Sequence, residues 1–193
     1  MSVSALAGLA AFRCRLHLWL ALGLRRAALA ETARRLACCP EDAHALATRS
    51  HLLATDGAWA AALPLQEQLL RLRPADAAAW FNLGYLHDRL DQWNAAEAAF
   101  RRATELSPTL DRAWYGLGLS LIAQSRLEEA LLPLRRSTEL QPMSPHAWYQ
   151  LARVHAQQGE TEQARGIIEH LRRFEPRVAA QLTGETGLVP GRP

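Results

Sequence analysis

The chain has 193 residues and a formal net charge of +3, enough for one domain or one short repeat array with a buried core. Alanine (36) and leucine (34) are its commonest residues, whereas valine and isoleucine together number 7, which excludes a sheet protein, because strands draw on β-branched residues and Ala and Leu favour helices. An apolar fraction of 49% at so low a charge also excludes disorder.

All 22 basic residues are arginine, a compositional bias rather than a sign of planar recognition at each site. Cys14, Cys38 and Cys39 are odd in number and two are adjacent. They form no disulfide framework and no C-x-x-C site, and a reducing compartment is expected.

A period of 34 residues organises the chain. Trp80, Trp114 and Trp148 keep it, as do Pro40, Pro74, Pro108, Pro142 and Pro176, and Ala28, Ala62, Ala96, Ala130 and Ala164. In chain order, the first repeat is Leu9 to Asp42, a degenerate one in which Phe12, Gly23, Ala28 and Pro40 fit but Arg15 and Leu16 replace a Leu and a Gly. Ala43 to Asp76 carries Leu46, Ser50, Leu53, Ala62, Leu69 and Pro74, with Arg49 and Gln66 at apolar positions. Ala77 to Leu110 is the clearest, with Trp80, Leu83, Gly84, Ala96, Phe100, Ala103 and Pro108. Asp111 to Ser144 and Pro145 to Val178 follow, with Trp114, Leu117, Gly118, Ala130 and Leu134, then Trp148, Leu151, Ala152, Ala164 and Ile168. Each repeat thus holds two apolar helical stripes separated by a polar turn such as Asp91 and Gln92. Gly84 and Gly118, unfavourable inside a helix by about 1 kcal/mol relative to Ala, mark close helix contact. Pro64 and Pro133 fall inside second helices, where kinks toward the convex side are expected.

The W-x-x-L-G, Ala, Phe, Ala, Pro pattern over this length resembles the tetratricopeptide repeat. The resemblance implies an all-α, right-handed superhelical solenoid of antiparallel helix pairs, about five repeats long, with a concave face lined by the first helix of each repeat. The expected organisation is 1–42 as apolar, basic N-terminal helices forming the degenerate repeat, 43–178 as four repeats, and 179–193 as a short cap and mobile tail. Arg177 to Leu182 is read as the capping helix. Thr183 to Pro193, with Gly184, Gly187, Pro190 and Gly191, is read as the tail.

Residues 1 to 39 hold six arginines and one acid, Glu31. Arg13 and Arg15 interrupt the apolar stretch from Val3 to Leu24, so it reads less as a membrane span than as a stacked repeat or a membrane-surface helix. A first repeat with apolar residues on most sides implies that its outer surface is covered by a second copy, a partner or lipid.

No phosphate loop, nucleophile elbow or metal-ligand spacing is present, the seven histidines are scattered, and Glu128 and Glu129, being adjacent, diverge on a helix. No enzyme activity, cofactor or metal is therefore expected, nor, given the slightly acidic body of the chain, a nucleic-acid partner. The family resemblance places a peptide-binding groove on the first helices: His51, Phe81, Asn82, Tyr85, Arg89, Arg112, Tyr115, Tyr149, Gln150 and Arg153. Phe81, Tyr115 and Tyr149 share the fifth repeat position and are expected to form an aromatic row, with Arg112 and Arg153 placed to hold a carboxylate. The family's carboxylate clamp is not expected, since the chain has no lysine, only Asn82 at the relevant positions, and Leu119 at one clamp site. The functional expectation is a noncatalytic cytoplasmic scaffold or adaptor for a protein or peptide partner. The alternative is a membrane-associated assembly factor, peripheral through residues 1–24, and a homo-oligomer through the same segment is the further option.

Overall fold

The structure, a computed structural model, describes residues 3–189, with side chains described from residue 8 onward. Among the described residues there are eleven helices and no strand. They are α1 (Val3–Ala21), α2 (Arg25–Cys38), α3 (Ala43–Thr55), α4 (Trp59–Leu72), α5 (Ala77–Arg89), α6 (Trp93–Leu106), α7 (Asp111–Ala123), α8 (Leu127–Leu140), α9 (Pro145–Gln157), α10 (Thr161–Arg172) and α11 (Pro176–Thr186). The repeat is written into the boundaries themselves. First helices end at Ala21, Thr55, Arg89, Ala123 and Gln157, and second helices begin at Arg25, Trp59, Trp93, Leu127 and Thr161, each series advancing by 34.

Between the two helices of every repeat the same position is left-handed: Gly23 (φ 67°), Gly57 (78°), Asp91 (56°), Ser125 (61°) and Gly159 (78°). Glycine suits this conformation because it has no Cβ. Asp91 and Ser125 adopt it against their own steric preference, which shows that the hairpin, not the local residue, sets the turn.

The chain divides after Leu90 into two compact units, between the two helices of the Ala77–Leu110 repeat. In the first, α1 packs on α2, α2 on α3, α3 on α4 and α4 on α5. In the second, α6 packs on α7 and so on in order to α11, which also reaches back to α9. The alanines Ala28, Ala62, Ala96, Ala130 and Ala164 are all fully buried; in the α1–α2, α3–α4, α7–α8 and α9–α10 pairs, a larger residue there would hold the two helices apart. Ala45, Ala79, Ala113 and Ala147, at the third repeat position, are buried against the preceding helix. Their counterpart Ala11 is exposed, as α1 has no described helix before it.

The tryptophan ladder has one environment, not three. Trp80 donates its indole N–H to the carbonyl of Pro74 (2.8 Å), Trp114 to that of Pro108 (2.9 Å) and Trp148 to that of Pro142 (2.9 Å). Each ring is half-buried, so an apolar body fills the joint while its polar edge satisfies a carbonyl left free beyond the preceding second helix. Asp42 and Asp76 complete the start of α3 and α5 by accepting from the backbone N–H of Ala45 and Ala79, a cap that typically contributes about 1 kcal/mol.

The degenerate positions are compensated by polar partners. Arg15 donates to the buried Glu31 at 2.8 and 3.0 Å, and Arg34 pairs with the same carboxylate. Arg49 donates to the Leu29 carbonyl of α2 at 2.6 Å. Gln66, fully buried, accepts from the Ser50 hydroxyl (3.1 Å) and donates to the Ala79 carbonyl (2.8 Å), so the amide sits in an apolar joint with its hydrogen bonds made.

α4 and α8 continue through Pro64 and Pro133 as single helices; each proline removes one backbone donor that packing of the rest of the helix offsets. One expectation needs revision. The final helix is longer than Arg177 to Leu182. It starts at Pro176, whose fixed φ suits a first helical position, and continues through Thr183–Thr186 to a left-handed Gly187 cap. Pro190 and Gly191 of the expected tail lie outside the described residues.

Candidate functional site

The fifth-position aromatics lie half-buried on the first helices of their repeats. In the second compact unit, Tyr115 on α7 and Tyr149 on α9 line an open pocket of about 350 Å³ together with Pro145, His146, Gln150, Val178 and Gln181. The Tyr115 and His146 rings stand 6.4 Å apart. Three of the expected residues, Tyr115, Tyr149 and Gln150, therefore meet in one concavity. Arg153 lies over the Tyr149 ring at 5.6 Å, a cation–π arrangement. It also lines an adjoining pocket of about 500 Å³ with Ala156, Gln157, Glu185 and Thr186. Arg112 is exposed on α7 and does not line either pocket.

Helix α11 contributes residues that sequence reasoning missed. The Tyr149 hydroxyl donates to the Glu185 carboxylate at 2.7 and 2.8 Å, and Gln181 donates to both the hydroxyl (3.3 Å) and the carboxylate (2.8 Å). The bond to Glu185 raises the phenol pKa above its ordinary value, reinforced by partial burial and by the carboxylate charge. The same contacts, from Gln181 and then Tyr149, lower that of Glu185. Tyr149 is thus fixed in orientation by the chain itself, and the available signal was the i, i+4 spacing of Gln181 and Glu185 between a helix-starting proline and a helix-ending glycine.

In the first compact unit, His51 on α3 and Asn82, Tyr85 and Arg89 on α5 are exposed, while Phe81 is half-buried. Arg89 is not simply solvated. Its guanidinium lies 4.4 Å over the ring of Trp59, so it fastens the end of α5 to the start of α4.

The second unit also contains a polar cluster away from the pocket. Glu97 on α6 is buried and accepts from Arg101 (2.6 Å), Arg126 (2.6 Å) and Gln124 (2.9 Å). Burial pushes its carboxyl pKa up, but hydrogen bonds from Gln124, Arg101 and Arg126 outweigh it and leave the group below the ordinary range. A carboxylate so saturated by cations is a structural tie between α6 and the α7–α8 turn, not an acid or base. Among the described residues no group of three or more His, Cys, Asp or Glu side chains could hold a metal ion. Cys38 and Cys39 place their sulfurs 3.5 Å apart at the end of α2.

Helix pairs of 34 residues, with a buried alanine in each second helix and a half-buried aromatic on the first helices α5, α7 and α9, define a tetratricopeptide-type helical-repeat protein. The chain belongs to this family: the family model for the Cilia and flagella-associated protein 70 middle TPR-like domain matches residues 53–175. Solved structures share the fold. The MamA RS-1 ArsTM double mutant is 20% identical with a TM-score of 0.82, covering 87% of this chain and 94% of that one. YrrB, described as a TPR protein with an unusual peptide-binding site, is 22% identical with a TM-score of 0.78 over 88% of each chain. MamA 41-end from Desulfovibrio magneticus RS-1 is 19% identical with a TM-score of 0.77, covering 91% of this chain and 95% of that one. No curated protein matches the sequence.

Proposed function

We propose that the protein is a noncatalytic interaction scaffold that binds a peptide segment of a protein partner on the exposed faces of its first helices. The observation that carries this reading is the pocket between Tyr115, His146, Tyr149 and Gln150, where two half-buried tyrosines line an open concavity beside polar groups able to orient a backbone. Large, stiff aromatics with a neighbouring arginine supply much contact area at low entropic cost, the usual composition of a binding hot spot. Arg153, beside the row, is the group we assign to an acidic side chain or a terminal carboxylate of the ligand. Phe81, Asn82 and Tyr85 with His51 are proposed as further contacts from the first unit, and Arg112 as a flanking one; Arg89, which holds Trp59, contributes less. The peptide-binding site named for YrrB is in line with this class of activity.

The test is capture of partners from a lysate by the full chain, followed by measured affinity for the partner obtained. Tyr115→Ala combined with Tyr149→Ala is expected to weaken binding by about 2 kcal/mol with helicity unchanged. Tyr149→Phe, which keeps the ring and loses the hydroxyl's bonds to Glu185 and Gln181, is expected to bind nearly as well as wild type. Unaltered affinity in the double variant discards the site.

A second reading, a membrane-associated assembly factor, is favoured by one observation: four large leucines exposed around the α1–α2 turn. No described helix is long and apolar enough to cross a membrane, so this reading concerns a surface, not a span.

A further inference from the structure

We propose that the α1–α2 turn is a docking tip for anionic lipid surfaces, an inference that rests on the membrane reading and specifies its residues and lipid class. Leu18, Leu20, Leu22 and Leu24 are 51, 41, 60 and 47% exposed. They concentrate at one hairpin end, whereas the other large exposed apolar residues, such as Leu72, Leu132 and Met143, are scattered. The chain reverses at left-handed Gly23, and the turn is closed by the Leu24 N–H donating to the Trp19 carbonyl at 2.8 Å. Trp19 itself packs inward against the cluster of Phe12, Leu16, Ala28, Ala45 and Leu52. The tip is therefore anchored on one side and bare on the others.

The distribution of the leucines selects the occupant. Successive helical residues are turned by about 100°, so Leu18 and Leu20 project on nearly opposite sides of α1. A protein partner covers one side of a helix, but hydrocarbon surrounds an inserted tip on all of them. Charge points the same way. Glu31, the one acid of α1 and α2 among the described residues, is buried and held by Arg15 and Arg34. Asp56, in the α3–α4 turn, is matched by Arg25 at 2.8 Å. Arg13 and Arg26 remain exposed on either side of the leucines. A second copy meeting through this same tip brings arginine against arginine, while an anionic headgroup plane is complementary to it.

Flotation of the full chain with vesicles of phosphatidylcholine alone, and of phosphatidylcholine mixed with phosphatidylglycerol, tests the proposal. The wild type is expected to float with the mixed vesicles only, and less so in high salt. Leu22→Ser with Leu24→Ser, both at exposed positions, is expected to weaken this by about tenfold or more with the circular dichroism spectrum unchanged, and Arg26→Gln by a smaller factor. Failure to float with either vesicle overturns both the proposal and the membrane reading. Equal flotation with both vesicles, or flotation indifferent to the leucine substitutions, overturns the tip while leaving membrane association standing. A dimer by light scattering that the leucine substitutions dissolve, with no flotation, assigns the tip to a second copy and overturns the proposal.

Discussion

The ring of Phe100 occupies the space in which any side chain on Gly116 has to begin: a Cβ placed there meets the ring atoms Cζ, Cε1 and Cε2 at 2.6, 2.7 and 2.9 Å. Phe100 is 2% exposed and has no open direction in which to retreat. Gly116→Ala gains about 1 kcal/mol of helix propensity but forces an overpacked contact, for which costs of about 1–3 kcal/mol are usual. A net destabilisation of up to about 2 kcal/mol in urea unfolding is expected. In a Phe100→Leu background the same substitution is expected to be neutral or stabilising, and additivity of the two changes contradicts the account.

The left-handed turn positions give a paired expectation of opposite sign. Ser125→Gly removes the Cβ crowding of a non-glycine residue at φ 61° and is expected to stabilise the protein by about 0.5–1 kcal/mol despite glycine's greater unfolded-state entropy. Gly159→Ala, at φ 78°, is expected to cost about 1 kcal/mol. Thermal melts of the two variants should move in opposite directions; a shift of the same sign in both refutes the assignment.

Acid sensitivity should centre in part on Glu97. Its folded-state pKa lies below the ordinary carboxylate range, so its contribution is complete above the unfolded pKa, about 4.3, and is lost as pH falls through the lower folded value. Glu97→Gln is expected to be less stable near neutrality by about 1–2 kcal/mol, allowing for screening of the half-exposed arginines. The gap between wild type and variant should narrow as pH drops below about 4. A gap that is constant from neutrality to strong acid excludes this role.

Helix α11 should loosen first when its polar tie is cut. Glu185→Ala removes the acceptor of the Tyr149 hydroxyl, so the Tyr149 phenol is expected to titrate closer to the ordinary value of about 10. Amides of α11 are expected to exchange faster while those of α7 and α8 stay protected. Carbon-13 tyrosine spectra and hydrogen exchange read the two effects separately.

The spacing of residues made the helical hairpins legible. The starts of α3, α5, α7 and α9 coincide with Ala43, Ala77, Asp111 and Pro145, the first residues of the repeats drawn from the tryptophan and proline ladders. Periodicity reports a face that every repeat must bury, so it survives changes at single positions. It is blind to one-off polar partnerships. Nothing local in Arg15 or Glu97 reveals the side chain it will meet, 16 residues away for Arg15 and Glu31 and 29 for Glu97 and Arg126. At the C-terminal end both Gly184 and Gly187 carry the composition of a tail, yet α11 runs through Gly184 and ends at Gly187. The two differ only in whether the backbone turns left-handed, which a sequence of mixed Gly and Thr does not disclose. In the candidate site, Tyr115, Tyr149 and Gln150 were found from their place in the repeat, while Gln181 and Glu185 belong to a helix outside the periodic pattern.

The fully buried alanine at the same place in every hairpin has an evolutionary and a practical corollary. Because the joint between α7 and α8 and that between α9 and α10 are both built around the same buried alanine, Ala130 and Ala164, a gene segment encoding one hairpin can be copied in tandem with few new complementary surfaces to invent. Length, and with it the number of ligand positions on offer, then becomes adjustable by whole modules, while specificity is written separately in the outward-facing residues of each copy.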